Sequence, residues 1–115
     1  MRRDETLLLD MLIAARKVQR FAANLDEAEF RRSELHQSAI VRELQVIGEA
    51  ARKVSDDFRS AHPTIDWHRI AGMRNRLVHE YFRVSVSIVW RTVQEEIPAL
   101  IEQLEALIPP TLENE

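Results

Sequence analysis

The sequence of 115 residues has no cysteine, only two glycines and four prolines, and no long apolar run. Without cysteine the chain cannot form disulfides or thiolate metal sites, which fits the reducing cytoplasm in which we expect the protein to act. No stretch approaches the roughly 18 uninterrupted apolar residues of a membrane-spanning helix, so no membrane association is expected. Residues 1–108 are predicted to form one domain, and the acidic residues 109–115 a frayed tail.

Apolar residues recur at steps of three and four along three long segments, and no alternating run indicates a sheet. Residues 4–24, 33–58 and 86–107 are therefore predicted to be amphipathic helices. Their stripes are Leu7, Met11, Ala14, Val18, Phe21 and Leu25; Ile40, Leu44, Ile47, Ala51, Val54 and Phe58; and Val86, Trp90, Val93, Ile97, Leu100, Leu104 and Leu107. These stripes predict an all-α fold with helices packed around a common core.

Three residues are expected to shape these helices. Asp4 is a suitable N-cap for the first helix. Gly48 costs about 1 kcal/mol relative to alanine in a helix interior, so we interpret it as a point of close approach by another helix. Pro98 lacks a backbone donor and is expected to kink the last helix.

Charge is distributed unevenly along the chain. The net charge is −3, but residues 66–91 contain five arginines and only two acidic residues, whereas residues 92–115 contain six glutamates and no base. Because local charge governs binding more than the total does, the segment 66–91 is the candidate binding region for an anion.

A fourth helix is predicted within "HPTIDWHRIAGMRNRLVHEY", residues 62–81, with Asp66 as its N-cap and Trp67 as its first residue. At about 100° per residue, Arg74 falls within the apolar stripe of this helix. The stripe consists of Trp67, Ile70, Met73, Leu77, Val78 and Tyr81. We therefore expect Arg74 to be surrounded by buried residues.

A buried guanidinium requires a compensating anion, since it cannot lose its proton. One interpretation is a structural salt bridge from Arg74 to Glu43 or Glu49. The other is an anion-binding site in which Arg74, Asn75 and His79 together contact a phosphodiester. Asn75 could equally face solvent, and Tyr81 could be a core residue. His36, His62 and His68 are interpreted as ordinary capping or surface histidines.

The string "RNRLVHEYF", in which Arg74 and His79 are separated by four residues and Tyr81 follows, resembles the motif of HepT-like ribonuclease toxins of the HEPN superfamily. The segments "VIGEAARKVS", "HPTIDWHRIAGMRN" and "IVWRTVQEEIPAL" resemble other characteristic parts of that family in the same order. The resemblance covers the chain from about Ile40 to Leu107.

This resemblance implies an up-and-down bundle of four to five helices that forms a homodimer with a shared cleft. It also implies metal-independent RNA cleavage without a cofactor, and an MntA-type nucleotidyltransferase as the antitoxin partner. By the same resemblance Arg74 and His79 match the catalytic pair and Asn75 matches a supporting polar residue. Tyr81 matches the motif tyrosine to which such an antitoxin attaches AMP.

The chemistry of these side chains suits that activity. RNA carries its own nucleophile in the 2′-hydroxyl, and a histidine, with an ordinary pKa of about 6.5, can transfer a proton near neutral pH. Arg74 would stabilise charge on the phosphate. On a regular helix Arg74 and His79 are about 140° apart, so either the helix ends near Val78 or a second subunit contributes. Two alternatives remain: a non-catalytic nucleotide-binding helper of a nucleotidyltransferase, and a purely structural helical dimer.

Overall fold

The computed structural model describes residues 2–77 and 85–108, and all regular structure within these ranges is helical. Three long helical segments are present: α1 (Arg2–Ala22), α3 (Glu34–Lys53), and a C-terminal segment made of α7 (Val86–Arg91), a π-helical turn (Thr92–Glu96) and α8 (Ile97–Leu107). The short helices are α2 (Glu27–Arg31), α4 (Asp56–Ala61), α5 (Trp67–Ala71) and α6 (Met73–Leu77). The predicted all-α fold is confirmed.

The core lies where α1, α3 and α8 meet. Each helix contributes fully buried apolar side chains along one face, as the spacing of three and four residues predicted. The innermost are Leu8, Met11 and Val18 of α1; Ile40, Leu44 and Ile47 of α3; and Ile97 and Leu104 of α8. The predicted stripe members Leu7, Phe21, Leu25, Phe58, Val86, Trp90 and Leu107 are partly buried against this core.

Side-chain caps set the bounds of the shorter elements. Asp26 and Glu29 form a capping box at the start of α2. The hydroxyl of Ser33 accepts a hydrogen bond from the amide of His36 at the start of α3. The prediction that this helix continues to Phe58 is wrong, because it ends at Lys53 and Ser55 caps the separate helix α4.

Asp4 does not cap α1 as predicted, since α1 is already helical at Arg2. Asp4 is buried and accepts hydrogen bonds from the backbone amide of Ser55 at 2.9 Å and from its hydroxyl at 2.7 Å. This places the start of α1 beside the end of α3, so the two long helices run antiparallel.

Pro98 occupies the first turn of α8, directly after the π-helical turn. Proline has no amide to donate to the carbonyl four residues earlier, and the first turn of a helix tolerates this loss. The predicted kink at Pro98 stays a prediction; the structure shows a π-helical turn, Thr92–Glu96, shortly before it.

Gly48 lies where α3 meets the segment that follows it. A Cβ atom at this position would lie 3.1 Å from the carbonyl oxygen of Ile70 and 3.6 Å from that of Ala71. This contact confirms that Gly48 permits a close helix approach. No described helix is long and apolar enough to cross a membrane, and residues 109–115, the predicted tail, lie outside the described ranges.

Candidate functional site

The segment 66–77 begins as predicted. Asp66 caps α5, its side chain accepting a hydrogen bond from the amide of Arg69 at 3.1 Å. Trp67 is the first helical residue; its ring is buried and its indole nitrogen donates to the carbonyl of His62 at 2.9 Å. These contacts fix the direction in which the segment enters the bundle.

The predicted continuous fourth helix is interrupted at Gly72. α5 ends at Ala71, Gly72 adopts φ −87° and ψ 8°, and α6 starts at Met73. Glycine is a poor helix former, so an interruption of the helix at this position costs little free energy. The interruption changes the phase of the helix, so positions around the axis cannot be extrapolated from α5 to α6.

Arg74 is exposed, and its predicted place within a buried stripe is therefore wrong. In α6 the buried residues are Met73 and Leu77, one turn apart, and Arg74 projects away from them. Among the described carboxylates none forms an ion pair with Arg74, whereas Glu49 is paired with Arg52 at 3.4 Å. The structural salt bridge to Glu43 or Glu49 is thus not formed.

Asn75, next to Arg74, is also exposed, and its backbone N–H donates to the carbonyl of Gly72 at 3.1 Å. His79 and Tyr81, the other predicted site residues, lie outside the described residues. The backbone amide of Ser85 donates to the carbonyl of Leu77 at 2.7 Å, so Ser85, directly before α7, lies beside the end of α6.

Two of the three histidines interpreted as ordinary have local partners, and the third is exposed. His36 forms a hydrogen bond with the hydroxyl of Ser33 at 2.6 Å. The ring of His62 stacks on Phe58, with ring centroids 4.2 Å apart. His68 is exposed on α5. Within the described ranges, no three acidic or histidine side chains are grouped so as to hold a metal ion.

Two other arginines of this segment, Arg69 and Arg76, are held by one carboxylate. Glu96 accepts hydrogen bonds from Arg69 at 3.0 and 3.1 Å, and from Arg76 at 3.2 and 3.4 Å. Arg76 and Glu96 are both largely buried, with 25% and 28% of their side chains exposed. The half-buried, paired arginine of α6 is therefore Arg76, two residues after the one we expected.

Burial opposes the charged form of Glu96, but the hydrogen bonds and charges of Arg69 and Arg76 outweigh it and hold the pKa of the Glu96 carboxyl below its ordinary value. The same hydrogen bond, with the attraction of Glu96, raises the pKa of Arg69. The Glu96 carboxylate is therefore ionised at neutral pH, and the cluster contains two arginines against one glutamate. The cluster therefore has a net positive charge, and exposed Arg74 of α6 adds another positive charge to the segment.

Comparisons with known proteins agree with the motif in this segment. The profile of the family described as "Ribonuclease HepT-like" matches residues 11–107. The chain is 34% identical over 101 residues to "Putative RNase MJ1380" of Methanocaldococcus jannaschii, covering 88% of this chain and 93% of that protein. It is 37% identical over 100 residues to "Probable ribonuclease HepT" of Thermococcus cleftensis, covering 87% and 91%. No solved structure gives a significant match. The chain belongs to the HepT-like ribonuclease family.

Proposed function

We propose that this protein is a metal-independent endoribonuclease that acts in the cytoplasm as the toxin of a toxin–antitoxin pair. The observation that carries this proposal is the exposure of Arg74 and Asn75 on α6, with no described carboxylate paired to Arg74. An exposed guanidinium that no described carboxylate neutralises, in a member of a ribonuclease family, can bind a phosphate.

In the proposed reaction the 2′-oxygen of the RNA attacks the adjacent phosphorus, and the bond to the 5′-oxygen of the next nucleotide breaks. His79 takes the proton of the 2′-hydroxyl or gives a proton to the leaving 5′-oxygen. Arg74 stabilises the charge that develops on the phosphate, and Asn75 supports the phosphate or the imidazole. No metal-bound water is required, because the substrate supplies the nucleophile.

A homodimer would solve the geometric problem of the motif. Arg74 and His79 would be about 140° apart on one regular helix, so a single copy does not easily aim both at one phosphate. Two copies facing each other across a cleft would each contribute part of the site. Sedimentation equilibrium should therefore give a mass above the 13.4 kDa of one chain, and a monomer at micromolar concentration would contradict the shared cleft.

The proposed antitoxin is an MntA-type nucleotidyltransferase that attaches AMP to Tyr81. The added phosphate is an anion able to pair with the exposed Arg74, which would block the substrate phosphate without unfolding the bundle. Intact-mass spectrometry after co-expression should show added AMP on the parent protein and none on the Tyr81→Phe variant. A modified and silenced Tyr81→Phe protein would contradict this mode of control.

RNA cleavage in the presence of a chelator tests the central claim. Arg74→Ala should lower the cleavage rate by about 100- to 1,000-fold, the usual effect of removing one charge-stabilising donor. Its melting temperature should be close to that of the parent, because Arg74 is exposed. Arg20→Ala, which removes an exposed arginine from α1, is the matched control and should retain activity.

The same assay separates the alternatives. A nucleotide-binding helper would bind nucleotide but leave RNA intact. A structural dimer would need Arg74 for stability, so Arg74→Ala would melt well below the parent. The absence of a described ion pair at Arg74 favours the ribonuclease over the structural dimer.

A further inference from the structure

One carboxylate connects both sides of the interruption at Gly72. Glu96 binds Arg69, which belongs to α5, and Arg76, which belongs to α6. Four hydrogen bonds of 3.0 to 3.4 Å make up this contact, which we term the Glu96 clamp and define as Arg69, Glu96 and Arg76.

The two short helices need such an external contact. α5 and α6 have five residues each, and isolated helices of this length are not stable in water. Their relative direction therefore depends on tertiary contacts. Both helices pack against α3, and Glu96 adds charged hydrogen bonds to both, which further restrict the angle between them.

The clamp is more constraining than an ordinary surface ion pair. Arg76 and Glu96 are about one quarter exposed, and the Nε of Arg76 is buried with no hydrogen-bond partner among the described residues. Glu96 is thus the only described acceptor of the Arg76 guanidinium. By contrast, the side chain of neighbouring Glu95 is 68% exposed. Its Oε2 lies 3.8 Å from the Nε of Arg91, four residues earlier in the same C-terminal segment.

The backbone around Glu96 is also specialised. Glu96 is the last residue of the π-helical turn that precedes α8. Such turns are rare and occur frequently at functional sites, where the extra residue re-aims the side chains of the turn. Here the turn ends at the residue that contacts both α5 and α6.

We propose that Glu96 is a positioning residue of the site. By binding Arg69 and Arg76 it fixes the orientation of α6, and hence the direction in which Arg74 and Asn75 face the RNA phosphate; it does not itself contact the substrate. This inference rests on the proposed ribonuclease function and adds a residue to it that lies outside the Arg74–Tyr81 motif.

A positioning role and a purely electrostatic role predict changes in different kinetic constants of Glu96→Gln. Removing a negative charge near a phosphate site strengthens RNA binding and lowers KM. Releasing the clamp misdirects Arg74 and lowers kcat. Glu95→Gln is the matched control, since it removes the same charge from the neighbouring residue. The Glu95 side chain is exposed and forms no ion pair with α5 or α6.

The experiment measures kcat and KM for cleavage of an RNA oligonucleotide by the parent and both variants, at a temperature where circular dichroism shows all three folded. We expect Glu96→Gln to lower kcat by about 10- to 100-fold, the order of loss that a misplacement near 1 Å causes, with little change in KM. Glu95→Gln should remain within about twofold of the parent. A kcat for Glu96→Gln equal to that of Glu95→Gln overturns the proposal.

A second measurement does not depend on catalysis. In ¹⁵N-labelled protein the side-chain Nε–H signal of Arg74, assigned from the spectrum of Arg74→Lys, should shift in Glu96→Gln and stay in place in Glu95→Gln. If the parent does not cleave RNA, the proposed function fails, and this signal alone decides whether Glu96 positions Arg74. An unshifted signal overturns the inference.

If Glu96→Gln does not fold, Arg69→Gln replaces it as the test. Arg69 is the more exposed arm of the clamp, so its loss should leave the pair between Arg76 and Glu96 and the fold in place. A smaller fall in kcat and a smaller shift of the Arg74 signal support the proposal. A parent-like kcat and an unshifted signal overturn it.

Discussion

The helix pair α1–α3 and the segment 66–77 are stabilised in different ways. α1 and α3 are 21 and 20 residues long and bury apolar side chains along their whole lengths. The segment 66–77 consists of two five-residue helices that bury two apolar residues each. Polar contacts supply much of the remaining order in this segment: the Asp66 cap, the Glu96 clamp, and a hydrogen bond of 3.2 Å from Arg52 to the carbonyl of Ala71.

This difference explains how two arginines only two residues apart come to have different environments. Arg76 is half-buried against the bundle and needs Glu96, because an unpaired guanidinium in that position would be costly. Arg74 faces solvent, where charge has no such cost. The long helices form a rigid frame, and the frame holds a short segment in which Arg74 is exposed to solvent.

The largest change in the free energy of unfolding is expected from a substitution in the core of the long helices. Leu44 is fully buried in α3, and Leu44→Ala should lower the free energy of unfolding by about 2–5 kcal/mol through lost burial and the cavity that remains. Leu35→Ala, at an exposed leucine of the same helix, should change it by less than about 0.5 kcal/mol. Urea unfolding followed by circular dichroism measures both.

The site should unfold together with the frame in Leu44→Ala. Tryptophan fluorescence reports on Trp67 in the segment and Trp90 in α7, and its transition should coincide with that of circular dichroism. A tryptophan transition at lower urea than the helical transition would mean that the segment unfolds independently of the frame.

A smaller effect is expected at the buried carboxylate of the frame. Hydrogen bonds from the backbone and then the hydroxyl of Ser55 hold the pKa of Asp4 below its ordinary value, against the opposing effect of burial. Asp4→Asn should lower the free energy of unfolding by about 1–2 kcal/mol near neutral pH, since hydrogen bonds to a charged group exceed neutral ones by roughly that amount.

The sign of the pH dependence follows from the lowered pKa. The ionised carboxylate stabilises the fold above the unfolded-state pKa of about 3.9, and this contribution is lost as pH falls through the lower folded-state value. The difference in stability between parent and Asp4→Asn should therefore be constant near neutrality and shrink below about pH 4. A difference that grows on acidification would contradict this assignment.

The frame was predictable from the sequence because its signals are local and repeated. The stripes of α1, α3 and α8 recur over many turns, so small errors do not change which face is buried. Asp4 shows where this fails: it is a suitable N-cap in isolation, but its partner Ser55 is 51 residues away. No local pattern contains that contact.

The candidate site was predictable in its residue types and not in its geometry. The motif identified Arg74 and Asn75 by spacing, and both lie on one exposed surface of α6. The prediction that Arg74 is buried assumed an unbroken helix with about 100° per residue. The interruption at Gly72 makes that assumption wrong. Glu96 was missed because its two arginine partners are 27 and 20 residues distant, and the π-helical turn that presents it leaves only a weak signal before Pro98.

The smallest predicted effect concerns the point where frame and segment touch. Gly48→Ala gains about 1 kcal/mol of helix propensity but costs about 1–3 kcal/mol in packing, because its Cβ would lie 3.1 Å from the backbone carbonyl of Ile70. A net loss of about 1 kcal/mol in unfolding free energy is expected from these opposing contributions. The loss should be accompanied by a displacement of α5 and a lower rate of RNA cleavage.

Gly72→Ala is the matched control, because a Cβ atom at Gly72 would make no contact as short as the 3.1 Å contact at Gly48. A Cβ at Gly72 would meet only the carbonyls of His68 and Arg69, at 3.4 and 3.9 Å, and φ of −87° is open to alanine. This substitution should be neutral or stabilise the protein by about 0.4–1 kcal/mol, through the reduced entropy of the unfolded chain. Opposite signs for the two glycines, measured by urea unfolding, would establish that the frame positions the segment through contact at Gly48. If both substitutions stabilise the protein, helix propensity governs both positions and the close approach at Gly48 does not constrain α5.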